Sequence, residues 1–251
     1  MDKLIYTTQT TISNLYENRS IRSQNLANMN VPGYRRDLQV ETSGTVYAHI
    51  MDTLDTRAFS LRTDVTSFSA EPAELKHTEE SLDVAIRGEG YFLVEGSNGP
   101  YLSRRGDMSV DQNGFLKNGD QAIMLDVNQN QIEVPPYRRI TISSQGEITI
   151  EPLNAPAGTF QLVGQLGMTS AADVTLKKYE DGKIRAEDGT LPPADDQVTV
   201  MQHYLEQSNV NIVDELVSSI EEQRQYEIGV KMIKTAKSLD ESGASLLKMP
   251  S

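Results

Sequence analysis

The first thirty positions carry a ladder that steps alternately by three and four, through Ile5, Thr8, Ile12, Leu15, Arg19, Arg22, Leu26 and Met29. This is heptad spacing, diluted by threonine and arginine, over a stretch (2–30) without glycine or proline, so it predicts a helix that needs a partner to cover its apolar side. The helix should stop near Asn30, because Pro32 pushes the residue before it away from helical angles and Gly33 permits a turn. The far end repeats the pattern. From Ser208 to Leu247 a helical ladder runs through Ile212, Leu216, Ser219, Gln223, Tyr226, Val230, Ile233, Lys237, Asp240, Ala244 and Leu247, and Pro250 closes it. Gly229 and Gly243 lie inside it, each costing about 1 kcal/mol relative to alanine.

Between the two ends the period changes to two. Leu82, Val84 and Ile86 alternate with Asp83, Ala85 and Arg87, and the segments that follow are cut by Asn98-Gly99, Asn113-Gly114, Asn118-Gly119, Asp181-Gly182 and Asp188-Gly189. Such dipeptides favour hairpin turns, so the middle is expected to be antiparallel β structure. Residues 40–80 follow neither period and read as an extended connector, with short strands or a helix near 44–58. The expected fold is α+β: long N- and C-terminal helices pairing as a coiled coil, with a central antiparallel β-rich domain. The expected division is an N-terminal helix (1–36), a connector (37–80), a β-rich body (81–204) and a C-terminal helix (205–251).

Charge sharpens this picture. The 251 residues include 23 basic and 36 acidic side chains, a net charge of −13, which repels phosphate backbones and anionic lipid. Neither nucleic acid nor membrane insertion is expected, and no window approaches the roughly 18 apolar residues of a membrane span. Residues 1–36 carry five basic and two acidic side chains, whereas 205–251 carry five basic and eight acidic, so the terminal segments are complementary in sign. Exposed ion pairs contribute only about 0–1 kcal/mol each, so the complementarity concerns register and partner choice more than stability. The opening twenty residues lack the apolar core of a cleavable secretion signal, so any export is expected to use another route.

Candidate chemistry is sparse. The absence of cysteine removes disulfides, thiolate nucleophiles and the commoner zinc sites. His49, His77 and His203 lie in unrelated segments without ligand spacing. Gly88-Glu89-Gly90 leads into another strand-like run, Tyr91-Phe92-Leu93-Val94, where a nucleotide loop would need a helix, so it reads as a turn. Glu79-Glu80, Asp195-Asp196 and Glu221-Glu222 read as solvated faces. No catalytic, metal-binding or cofactor-binding residue is assigned, and no small-molecule substrate is expected. Arg104-Arg105 and Arg138-Arg139 are basic spots in an acidic body, either inter-subunit contacts to acidic neighbours or surface arginines beside strand ends.

Three segments together resemble the bacterial flagellar axial proteins of rod and hook. Gln24-Asn25-Leu26-Ala27-Asn28 followed by Val31-Pro32-Gly33-Tyr34-Arg35 resembles the rod signature of an Asn-Leu-Ala-Asn run and then a glycine, an aromatic and a basic residue. Leu82-Asp83-Val84-Ala85-Ile86 with Gly88, Gly90-Tyr91-Phe92, Val94, Arg105-Gly106 and Asn113-Gly114 is similar to the family's second block. Leu205-Glu206 and Ser208-Asn209-Val210-Asn211, with Gln223-Arg224 and Tyr226, is similar to its third. His203 stands where relatives often carry glycine, and Ser103-Arg104-Arg105-Gly106 lacks the usual tyrosine-threonine lead. The opening Met1-Asp2-Lys3-Leu4-Ile5-Tyr6, the length and the plain β region look most like proximal-rod members, with distal-rod members the close rival.

The resemblance implies a rod subunit that transmits torque from motor to hook, exported by the flagellar type III apparatus without a cleaved signal and assembled in the periplasm. Its expected partners are itself, other rod subunits and the export apparatus. The implied subunit interface comprises Ile5, Ile12, Leu15, Asn25, Leu26, Asn28, Asn209, Leu216, Ile220, Arg224, Tyr226, Val230 and Ile233. A hook-type axial paralogue or an envelope assembly cap is the alternative, and an intramolecular helix pair in a soluble monomer would produce the same periodicity.

Overall fold

The two ends of the chain fold as helices, α1 over Asp2–Ala27 and α2 over Ile212–Leu247, in a computed structural model that describes residues 2–39 and 68–247. α1 stops short of Asn30, where the Val31 N–H donates to the Asn28 carbonyl at 3.1 Å and turns the chain ahead of Pro32. α2 starts after Asn211, whose side-chain oxygen accepts the backbone N–H of Val213 at 3.0 Å and caps the helix. Asp214 and Glu215 then place negative charge in the first turn, where the helix dipole favours it.

α1, Asp37 and α2 belong to one compact unit, while Asn28–Arg36 and the chain from Phe68 to Val210 belong to another. The expected pairing of two long terminal helices as a coiled coil is corrected by the first unit. α1 spans 26 residues and α2 spans 36, and the ladder residues of α2 do not form a covered seam, since Ile212 is 43% exposed and Leu216 51%. The physical reason lies in the ladder of α1, where two of the positions that are buried hold Thr8 and Arg22 instead of aliphatic knobs. The helices meet at local contacts instead. Gly229 lies beside the Ile12 side chain, and the Tyr16 and Tyr226 rings meet edge-on with centroids 5.9 Å apart. The connector expectation over 44–58 falls outside the described residues.

The second unit is the larger part of the fold and is antiparallel throughout its described ladders. Its principal sheet has eight strands, in the order Leu176–Lys178, Ile184–Ala186, Gly99–Ser103, Tyr91–Gly96, Ile123–Met124, Leu116–Asn118 and Met108–Val110, with Met168–Thr169 also paired to Tyr91–Gly96. A three-stranded sheet joins Tyr137–Ile142, Glu147–Pro152 and Gln161–Gln165, and two further pairs join Val84–Arg87 to Thr199–Gln202 and Leu75–His77 to Tyr204–Glu206. Tyr91–Gly96 explains why one apolar run does not alternate. Phe92 and Val94 enter the larger core with Val84, Ile86, Ile148 and Leu166, while Tyr91 and Leu93 enter a second cluster with Leu102, Leu125 and Ile184. A strand covered on both faces needs apolar residues at successive positions.

Of the five turn dipeptides, Asn98-Gly99, Asn113-Gly114 and Asp181-Gly182 join paired strands as expected, and Asn118-Gly119 joins Leu116–Asn118 to Ile123–Met124. Asp188-Gly189 differs: it follows Ile184–Ala186 and leads toward Thr199–Gln202, which pairs with Val84–Arg87. Gly88-Glu89-Gly90 connects strand to strand, the arrangement of a turn.

Gly106 shows how closely the unit is packed. The Val84 N–H donates to the Gly106 carbonyl at 3.0 Å, and a Cβ on Gly106 would lie 1.7 Å from the Val84 carbonyl oxygen. Gly106→Ala is therefore expected to destabilise this unit by about 2 kcal/mol or more, as overpacking against backbone does. Urea denaturation followed by circular dichroism measures it, and an unchanged midpoint would contradict the packing described.

Candidate functional site

The last residue of the strand Tyr204–Glu206 is a buried carboxylate opposite Leu75 in the ladder. Glu206 Oε1 receives Arg35 Nη1 at 2.9 Å and the backbone N–H of Ala73 at 2.8 Å, while Oε2 receives Arg104 Nε at 2.6 Å. Both guanidiniums are buried and reach beyond the carboxylate, Arg35 Nη1 to the Glu71 carbonyl at 2.7 Å and Arg104 Nη1 to the Gly90 carbonyl at 2.7 Å. Burial pulls the Arg35 pKa below its ordinary value, with Glu206 opposing, and burial pushes the Tyr91 hydroxyl up, with Arg35 and Arg104 opposing. The group is a structural tie that joins residue 35, the segment of Arg104 and the strand Tyr204–Glu206.

The backbone in front of Arg35 fits the same place. The Gly33 N–H donates to the Glu206 carbonyl at 2.8 Å, and Gly33 sits at φ +67° with an added Cβ 2.4 Å from the Arg104 carbonyl group. Only glycine combines that conformation with that approach. Asn209 completes the tie. Its side-chain oxygen accepts the Arg36 N–H at 2.6 Å, its amide donates to the Ser69 and Glu71 carbonyls at 3.2 and 3.0 Å, and its own N–H donates to the Tyr34 carbonyl at 3.2 Å. Partly buried Asn209 thus joins its own segment to two others. His203, at φ +66°, occupies a left-handed conformation that costs glycine least.

The helical unit has a tie of its own. Buried Asn25 donates to the Asp37 carbonyl at 3.0 Å, accepts the Asp37 N–H at 2.9 Å and donates to Glu215 Oε1 at 3.3 Å. Arg22 donates through Nη1 to Glu215 Oε2 at 2.9 Å and through Nε to Glu222 Oε1 at 2.7 Å. An arginine at a ladder position, which weakens an apolar seam, here has two carboxylates on the facing helix.

The remaining candidate residues divide by exposure. Ile12, Leu15, Leu26, Asn28, Tyr226, Val230 and Ile233 are partly buried, whereas Leu216, Ile220 and Arg224 are exposed. Ile5 lies in α1, with its side chain outside the described residues. The ladder missed Val213, Val217, Ile228, Met232 and Leu239, all exposed on α2, although the four-residue steps from Val213 to Val217 and from Ile228 to Met232 marked a second apolar stripe. A groove of about 470 Å³ in the same unit is lined by Leu15, Tyr16, Arg19, Ser219, Ile220 and Tyr226, among others. Arg104 departs from both readings of the basic spots, being buried on Glu206, while Arg105 pairs with Asp107 at 2.7 Å and Asp120 at 2.8 Å. Arg138 is a surface arginine that donates to the Leu153 and Ala155 carbonyls at 3.0 and 3.3 Å. Among the described residues, no helix is long and apolar enough to cross a membrane.

Removing one partner from a buried ion pair costs about 3–5 kcal/mol, because the other charge stays desolvated. Glu206→Gln leaves two buried guanidiniums facing a neutral amide, and a loss of about that size in thermal or urea unfolding is expected. Stability within about 1 kcal/mol of the unsubstituted chain would show that the tie is not needed.

Two family models match the chain, one for the FlgE/F/G flagellar hook protein D1 domain over residues 85–150 and one for the C-terminal region of flagellar basal body rod FlgEFG proteins over 201–246. The flagellar basal-body rod protein FlgF of Salmonella typhimurium is 28% identical, with 99% of this chain and 100% of that one covered. FlgF of Escherichia coli strain K12 is 29% identical, covering 93% of each. A FlgG of Buchnera aphidicola (subspecies Schizaphis graminum) is 30% identical, covering 87% of this chain and 90% of its own. With its N- and C-terminal signature segments tied together and this similarity running almost end to end, the chain belongs to the flagellar basal-body rod proteins, structural proteins of the basal body.

Proposed function

We propose that this chain is a FlgF-type rod subunit that stacks helically with copies of itself and with other rod proteins, carrying torque from motor to hook. The observation that supports it most is the row of large apolar side chains left exposed on α2, including Val213, Leu216, Val217, Ile220 and Ile228. A row of large apolar side chains left in water is a surface suited to a partner. Completing the burial of each such residue would recover about 1 kcal/mol, a part of the 1.5–3 kcal/mol for full burial, so several together offset the ordering cost of association. The groove beside Leu15 and Tyr226, lined also by Ile220, continues this surface, and in this reading it meets a different face of the next subunit, the head-to-tail arrangement that builds an open stack instead of a closed dimer. The FlgF assignment over FlgG rests on similarity to FlgF along essentially the whole length of both chains.

The same reading places the subunit in the periplasmic part of the basal body, delivered by the flagellar export apparatus without a cleaved signal. The candidate interface then has two parts. Leu216, Ile220 and Arg224 touch the neighbour directly, with Ile12, Leu15, Tyr226, Val230 and Ile233 lining or backing the groove. Asn25 and Asn209 act at one remove, by holding the segments that present this surface.

Leu216→Asp is expected to abolish incorporation into isolated basal bodies and to reduce swarming, while circular dichroism shows the β-rich unit folded. Glu221→Gln, on the neighbouring turn, is expected to incorporate normally. Normal rods built from the Leu216→Asp chain would overturn the proposal.

A further inference from the structure

We propose that the strand Gln161–Gln165 and the side chains around it form a second contact surface, which receives the turn at Tyr179 of another copy of this chain. Gln161–Gln165 is the outermost strand of its three-stranded sheet, and a Cβ built on Gly164 meets nothing within 4 Å. Exposed sheet edges are commonly guarded by charge or proline. This strand carries neither, and residues 152–172 hold no charged side chain in a chain of net charge −13. Leu162 stands opposite Thr149, whereas Ile148 and Ile150 on either side of Thr149 enter the core, so Leu162 points outward. It is 62% exposed and Phe160, two residues earlier, 60%, while Leu153, just past the neighbouring strand Glu147–Pro152, is exposed as well. Arg139 is exposed on the same outward face, in register with Glu151, whose carboxylate already accepts the Gly158 N–H at 3.0 Å.

Charge selects the occupant. An apolar surface with arginine beside it suits a large apolar side chain accompanied by carboxylates. Among the described residues of the β-rich unit, Tyr179 is the one exposed large hydrophobic side chain outside the group of Leu153, Phe160 and Leu162. It follows Leu176–Lys178, the outermost strand of the eight-stranded sheet, and has the exposed carboxylates of Asp173 and Glu180 close by in sequence. The basic side chains of that hairpin are already engaged. Lys177 pairs with Glu187, Lys183 with Asp120, and Arg185 with Asp181 at 2.7 Å, while Lys178 is buried. The turn therefore presents an aromatic ring with free negative charge, the complement of Leu162 and Phe160 beside Arg139. The apolar patch facing its own copy would close a dimer, whereas the Tyr179 turn is an unlike surface and extends a stack. The inference rests on head-to-tail assembly of rod subunits and supplies a contact that does not involve α2.

The chain has no cysteine, so introduced cysteines report contacts without background from the chain itself. Differently tagged Leu162→Cys and Tyr179→Cys chains are expressed together in a strain lacking the native gene, and isolated basal bodies are treated with a short bismaleimide. The expected result is a cross-linked pair carrying both tags, absent when either variant is expressed alone. Rods that contain both variants but yield no mixed pair would overturn the contact and leave the rod assignment standing, and Leu162→Cys joined only to itself would overturn it as well. Absence of the unsubstituted chain from basal bodies would instead overturn the rod assignment, and this contact with it. If a cysteine variant does not enter the rod, charge exchange decides. Arg139→Glu and Glu180→Arg are each expected to lower incorporation severalfold, and together in one chain to restore it. Single substitutions without effect, or a double substitution that restores nothing, would overturn the contact.

Discussion

The Glu206 carboxylate, held between Arg35 and Arg104 without contact to water, is the constraint on which the β-rich unit depends. Desolvating three charges is unfavourable unless every partner is present, so the arrangement is one that the whole unit must form together. Its partners come from residue 35, from the strand Gly99–Ser103 and its continuation, and from the strand Tyr204–Glu206, so segments distant in sequence must arrive before the charge is satisfied. Gly33 and Asn209 extend the same tie along the backbone, and neither position has latitude: one is fixed by a Cβ-free approach, the other by an amide bonded to two other segments. In the helical unit Glu215 plays the corresponding part for Arg22 and Asn25.

This division of labour accounts for the polar and apolar signature residues separately. The motif asparagines and arginine hold N-terminal segments to C-terminal ones within each unit. Among the described residues, several large aliphatic side chains of α2, Val213, Leu216, Val217, Ile220 and Ile228, are instead half or more exposed. A helix whose polar residues lock it in place and whose aliphatic residues remain uncovered is suited to assembly, because its own fold does not compete for the surface a neighbour needs.

Much of this was legible in the sequence, and the failures have physical causes. The helical spacing of both ends and the two-residue period of the middle were read correctly, because each follows from which side chains can share a face. Four of five turn dipeptides connect neighbouring strands of one sheet, and Asp188-Gly189 shows that a turn signal specifies a bend but not which strand receives the chain. The coiled coil was misread because heptad spacing fixes a stripe without saying whether the facing helix covers it. Thr8 and Arg22 at buried positions were the warning. Buried arginines were the least legible feature: Arg104 looks like a surface basic residue until Glu206, about a hundred positions later in the chain, is brought to it. Resemblance identified the motifs, but only the folded arrangement gives Gly33, Arg35, Glu206 and Asn209 one shared role.

The central claim is that charged and amide ties close each unit internally while the apolar face of α2 is left for a neighbouring subunit. A side-chain-resolution electron microscopy map of the rod in isolated basal bodies tests this most directly. The account predicts Arg35, Arg104 and Glu206 joined within one chain, and Val213, Leu216, Val217 and Ile220 buried against another. A map in which those four residues remain in water, or in which Glu206 is held by arginines of a different chain, would contradict it.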